Sequence, residues 1–186
     1  MEKSWLRRPL IATAIAVLAL ILIVSSPIWI VALSIADFVR GRMRFPLVRF
    51  AAFGTCWAVL ETAGVAIAFW LFCTGRAKSV DANYALQKWW TSHLIGSLRL
   101  TVGLKITVEG ADQLGPGPFI AFCRHASLAD SIMSAWVVAS HAGLRPRYVL
   151  KKELKLDPCL DILGHRLPNY FIDRQSSDID CLGLKN

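Results

Sequence analysis

The stretch "AFCRHASLADS", from Ala121 to Ser131, sets a histidine and an aspartate five positions apart. A carboxylate on one imidazole nitrogen fixes the tautomer, and it stabilises the imidazolium formed when the other nitrogen takes a proton. His125 and Asp130 therefore have the residue types of a general base and its orienting acid, a pair suited to deprotonating a hydroxyl. Five residues of continuous helix turn through roughly 500°, so the two would not share a helical face. They meet only if His125 lies in a loop and turns back over a first helical turn that carries Asp130. Amides at such a helix start could stabilise an oxyanion, which makes acyl transfer a reaction this junction can serve. The plainer reading makes Asp130 a first-turn acid favoured by the helix dipole and His125 a polar loop residue.

The surrounding segments decide whether that junction exists. "LKITVEG" alternates and is β-branched, which predicts a strand, and "ADQLGPGP" is a turn cluster. "PFIAFC", Pro118 to Cys123, reads as a short buried strand. "SLADSIMSAWVVASHAG" reads as a helix with Leu128, Ile132, Met133 and Trp136 on one side and Gly143 as its stop. Another strand is expected from Arg147 to Leu150, then a short helix in "DPCLDILGHRL" and a further strand in "NYFID". This order predicts an α/β domain, a mixed sheet flanked by helices, with His125 where a strand ends and a helix begins. In open α/β sheets ligand sites form at that end of the strands. Upstream, Tyr84, Trp89, Trp90, Leu94 and Leu98 mark an amphipathic helix whose tryptophans suit a membrane interface. His93 lies on it and is given no role.

The chain of 186 residues is 55% hydrophobic, against about 45–50% in soluble proteins, and carries a net charge of +8. Most of the excess lies before Thr74. The positive charge implies an anionic partner, and with so much apolar sequence that partner is a membrane surface or a phosphorylated substrate rather than nucleic acid. Leu10 to Leu33 runs without a charge, and its insertion is worth on the order of −4 to −8 kcal/mol. It is too long for a cleaved signal peptide and has no A-x-A site, so it reads as a retained anchor. A second apolar segment, Phe50 to Cys73, carries Glu61 near its middle and is marginal alone. Packing of Gly54, Ala58 and Gly64 against the first helix would rescue it, with a protonated Glu61 bonded to that helix. Arg40, Arg42, Arg44 and Arg49 between the segments leave two topologies open, a full crossing or a re-entrant hairpin. Either returns the chain after Thr74 to the side on which it started. Five cysteines without a C-x-x-C pair read as reduced and metal-free, in a cytosol-facing protein.

"HASLAD" is the H-x-x-x-x-D signature of the glycerophospholipid acyltransferases, the family that includes lysophosphatidate acyltransferase, and the chain resembles that family in further ways. Ser127 holds the small hydroxyl position usual in the motif. "YVLKKEL" follows as that family's basic strand does. "NYFIDR", ending in Arg174, is similar to its second motif. The resemblance runs from about Leu104 to Arg174, and the membrane half matches in kind only.

The resemblance implies that His125 activates an acceptor hydroxyl to attack an acyl thioester, that Asp130 orients it, and that Arg174 binds the acceptor's phosphate, helped by Lys151 and Lys152. The donor would be acyl-CoA or acyl-carrier protein and the acceptor a lysophospholipid, with no metal and no prosthetic group. Three departures stand out. Arg124 replaces the family's frequent Asn, and Pro168 and Asn169 stand where a glycine commonly begins the second motif. The family's later E-G-T-R-type motif is absent before Asn186, so the α/β domain is expected to be C-terminally incomplete. The expected division is a membrane region over 1–75 with helices near 10–33 and 50–73, an amphipathic linker helix over 76–103, and an acyltransferase domain over 104–186 on the cytoplasmic side. The alternatives are an inactive membrane-anchored truncation product and, less well supported, a lipid hydrolase using Ser127, which lacks a G-x-S-x-G elbow.

Overall fold

The computed structural model describes residues 4–110, 118–123 and 128–172. The first apolar run is two helices, α1 (Ser4–Val24) and α2 (Ser26–Val39), where the sequence predicts one helix from 10 to 33. Pro27 supplies the physical reason: it has no N–H to continue the ladder, and its ring crowds the carbonyl four residues back. The Ser25 hydroxyl donates to the Ile21 carbonyl at 2.6 Å, and the Trp29 indole N–H donates across the break to the Leu22 carbonyl at 2.8 Å. Helix α3 (Pro46–Cys73) follows after a tight hairpin. Both α1, over Arg7–Val24, and α3 are long and apolar enough to cross a membrane.

The α2–α3 hairpin is closed by a buried acid. Gly41 ends α2 in the left-handed region (φ +67°), and the Arg42 N–H returns to the Asp37 carbonyl at 2.8 Å. Phe45 precedes α3 without a capping side chain, so the buried Asp37 carboxylate accepts the Leu47 N–H at 2.9 Å instead. Arg40, Arg42 and Arg44 stay exposed at this tip. At the far end Gly75 (φ +73°) closes α3, with the Arg76 N–H on the Leu71 carbonyl at 2.8 Å.

Helix α4 (Val80–Thr101) begins at a Ser79 cap and runs back along α3. Leu86 packs with Ala68 and Leu71 near one end, and Leu98 packs with Phe53 near the other. Its buried face mixes Leu86, Trp90, Leu94 and Ile95 with Asn83, Gln87 and Thr91. Lys88, His93 and Arg99 stay exposed, so α4 is the amphipathic helix the sequence predicts.

Beyond α4 the sheet among the described residues is smaller than expected, a single parallel pair. Leu104, Ile106 and Val108 do alternate inward, onto Ile95, Leu98 and Trp136, while Lys105, Thr107 and Glu109 face outward. The period of two is right, but among the described residues no neighbouring strand completes a ladder, so the segment is extended chain and not a strand. Pro118–Cys123 is corrected more strongly. It is exposed throughout, with Phe122 93% accessible, and is neither buried nor paired within the described residues. Among the described residues the sheet consists of β1 (Val149–Lys151) and β2 (Tyr170–Ile172), parallel, with Leu150 opposite Phe171 and Lys151 opposite Ile172. Helix α6 (Pro158–Arg166) connects them as the crossover that a parallel pair requires. Helix α5 (Leu128–Trp136), extended by a wide turn to His141, packs on α4, where the Arg99 guanidinium lies over the Trp136 ring at 4.9 Å.

Candidate active site

The expected dyad straddles the edge of what is described. Asp130 stands in the first turn of α5, half-buried. His125, Ser127 and Arg174 lie outside the described residues. Cys123, two positions before the histidine, is close enough to Tyr148 for its thiol to influence that phenol. Burial first, then Cys123 and Tyr84, push the Tyr148 hydroxyl above its ordinary ionisation range. The chain leading into the motif therefore passes beside the start of β1.

β1 and β2 point the same way and end together at Lys151 and Ile172, two residues short of Arg174. Lys151 is exposed and Lys152 half-buried, opening a short turn of 3-10 helix. These two lysines occupy the C-terminal edge of the parallel pair. The start of β1 is anchored to α4, since the Tyr84 hydroxyl donates to the Pro146 carbonyl at 3.1 Å and Arg145 pairs with Asp81 at 2.6 Å. The Tyr148 N–H donates to the Asn169 side-chain oxygen at 2.8 Å, which fixes the approach to β2. Asn169 is one of the two residues standing where a glycine was expected, and it holds the two strands together.

Three acids around α6 were not assigned their partners from sequence. Glu61, fully buried in α3, accepts the Trp90 indole N–H at 3.0 Å and the Cys159 backbone N–H at 3.1 Å. Its partners thus lie on α4 and at the start of α6, not on the first helix as the sequence reading expects. Asp157 caps α6 by accepting the Leu160 N–H at 2.8 Å, and its carboxyl also hydrogen-bonds Glu61. Burial holds Asp157 above the usual carboxylate range, and burial followed by the two nearby acids pushes the Cys159 thiol well up. Asp161, also buried, takes Arg8 at 2.7 Å and Arg7 at 3.3 Å from the start of α1. The sequence signal for Glu61 is its charge within an apolar helix; Asp161 sits in a short polar helix and gives no such signal.

Helix α6 is therefore clamped at both ends to the apolar helices, by Glu61 near its start and by Arg166 donating to the Ala68 carbonyl at 3.0 Å near its finish. The same helix carries β2. Gly164 faces the Phe171 ring so closely that a β-carbon there would lie 2.4 Å from it. His165 stacks on that ring at 5.0 Å. The apolar helices, α6 and the C-terminal edge of the sheet form one connected support.

The described residues thus give a parallel strand pair joined by a helix, with Lys151 and Lys152 at its C-terminal edge. Residues 105–182 match the acyltransferase family model, that of the glycerolipid acyltransferases. The match covers "HASLAD", "YVLKKEL" and "NYFIDR" and supports an acyltransferase role in general. No curated protein and no solved structure matches the chain.

Proposed function

We propose that this protein transfers a fatty acyl group from acyl-CoA or acyl-carrier protein to the free hydroxyl of lysophosphatidate or a related lysophospholipid. The observation that carries this reading is the family match across residues 105–182, which contains the histidine–aspartate motif and both basic segments in order. His125 takes the proton of the acceptor hydroxyl as its oxygen attacks the thioester carbonyl. The tetrahedral intermediate collapses, the carbon–sulfur bond breaks, and the proton passes from the imidazolium to the leaving thiolate. Asp130, in the first turn of α5, orients the ring and stabilises its charged form. Arg174 holds the acceptor phosphate with Lys151 and Lys152, at the strand ends where a parallel sheet presents ligands.

The apolar helices suit a lipid acceptor delivered from the bilayer. The same reading divides the chain into a membrane region over 1–75, a linker helix over 76–103 and the transfer domain from 104 onward, on the cytoplasmic side. Acyl transfer by the full chain in phospholipid vesicles, with labelled acyl-CoA and lysophosphatidate, is the test. Replacing His125 by Ala should lower turnover about 10²–10⁴-fold, the usual worth of general base catalysis, while Ser127→Ala stays largely active. Unchanged turnover in His125→Ala would refute the assignment. Loss in Ser127→Ala, with free fatty acid released by the parent, would point to hydrolysis instead.

A further inference from the structure

A cleft of about 200 Å³ opens where the start of α1, the last turns of α3 and the outer side of α6 converge. Val65, Phe69, Phe72, Ala12 and Ile162 make its walls apolar, and Arg8 and Arg166 stand in its lining. Among the described residues the charges around it do not balance. Arg7 and Arg8 share the buried carboxylate of Asp161, whereas Arg166, among those same residues, donates to the Ala68 carbonyl alone. Three guanidiniums thus meet one carboxylate. Partial burial and the nearby Arg8 charge make the Arg166 cation costly, so an anion placed between the two would relieve both penalties.

The cleft also continues into the lipid-facing surface. Phe69 and Phe72 in its lining are both mostly exposed, each 64% accessible. It lies at the end of the hairpin where α1 begins and α3 finishes, which in either membrane topology is a headgroup level. We propose that this cleft binds an anionic phospholipid, with its phosphate between Arg8 and Arg166 and its acyl chain along Val65, Phe69 and Phe72. The ligand is a membrane lipid and not free phosphate, because the walls offer apolar contact to a chain and no further donors to a small anion. A lipid here bridges α1 and α6, and so ties the membrane helices to the helix that carries β2.

The test is native mass spectrometry of the full chain released from detergent micelles, titrated with dioctanoyl phosphatidylglycerol, dioctanoyl phosphatidylcholine or inorganic phosphate. The expected result is one saturable phosphatidylglycerol, weaker retention of phosphatidylcholine and no displacement by phosphate. Arg166→Gln, which keeps a donor for the Ala68 carbonyl, should weaken phosphatidylglycerol about five-fold, the worth of one basic residue at a lipid surface. Ala12→Phe fills the cleft without changing charge and should weaken it as well. Unaltered binding in both variants would place the lipid elsewhere on the basic surface and overturn the proposal. So would displacement by inorganic phosphate. Because the readout involves no acyl transfer, its failure is separate from failure of the transferase reading.

Discussion

Replacing Glu61 by Ala measures how far the α6 clamp depends on one buried acid. The carboxyl receives two buried donors, the Trp90 indole at 3.0 Å and the Cys159 amide at 3.1 Å. Neither has water to turn to once the acceptor is gone, since Trp90 is 5% and Cys159 1% accessible. An orphaned buried donor costs about 1–3 kcal/mol, so the two together cost about 2–6 kcal/mol. The vacated volume adds to that, while relief from burying an acid subtracts. A net loss of about 3 kcal/mol is expected, a large part of the usual 5–15 kcal/mol, equivalent to roughly 6–12 °C in the midpoint of a protein this size. Glu61→Gln keeps one acceptor and turns an amide donor toward the other N–H, so about half the loss is expected. The assay is thermal unfolding in detergent followed by tryptophan fluorescence, paired with limited proteolysis after α4. Proteolysis should show α6 freed before α3 and α4 part. A midpoint for Glu61→Ala within 2 °C of the parent, roughly the error on 1 kcal/mol, would refute the reasoning.

Other consequences follow from the same contacts. Gly64→Ala would bring a β-carbon within 2.6 Å of the Cys159 sulfur; overpacking of about 1–3 kcal/mol should outweigh the helix-propensity gain of about 1 kcal/mol, and Cys159→Ala in the same chain should restore stability in denaturant titrations. Gly164→Ala should displace the Phe171 ring, 2.4 Å from the new carbon, and lower acyl transfer more than it lowers the unfolding midpoint, because β2 leads into Arg174. Burial raises Asp157, so its contribution is full below the ordinary carboxylate pKa of about 4 and is lost as pH climbs toward the folded value. Asp157→Asn still accepts the Leu160 N–H, and the fall in stability from pH 4 to pH 7 should be smaller in that variant when urea midpoints are compared. Asp161→Asn removes the carboxylate charge that Arg7 and Arg8 share. Those arginines are partly exposed, so a loss of only about 1–2 kcal/mol is expected, read as earlier release of α6 in hydrogen exchange.

Much of the local structure is legible in residue order. The glycines after α2 and α3 announce helix ends, Ser79 and Asp157 announce starts, and the Tyr84–Leu98 periodicity gives α4 its buried stripe. The alternation from Leu104 to Val108 is also read correctly as a pattern, but a pattern specifies which side chains turn inward and not whether another backbone lies alongside. That is why "LKITVEG" faces the core as predicted and still forms no strand. "PFIAFC" fails for the same reason more severely: an apolar run predicts burial only if something covers it. The first apolar run was read by its composition, and the single proline that breaks it carries little weight in a hydropathy sum. Asp130 falls in a first helical turn as expected, a short-range preference that residue order encodes. His125, Ser127 and Arg174 fall outside the described residues, and their roles rest on the resemblance.

The sequence by itself determined several elements: apolar helices with a basic hairpin tip, an amphipathic helix, the helix that carries Asp130 and the pair of segments that become β1 and β2. Only the tertiary structure decided which polar groups answer one another. Glu61 meets an amide 98 residues away and Asp161 meets Arg8 at a separation of 153. No local propensity encodes such a pairing. A buried carboxyl must be matched by whatever donors the packing of distant helices brings to it, and those donors are set by the fold as a whole.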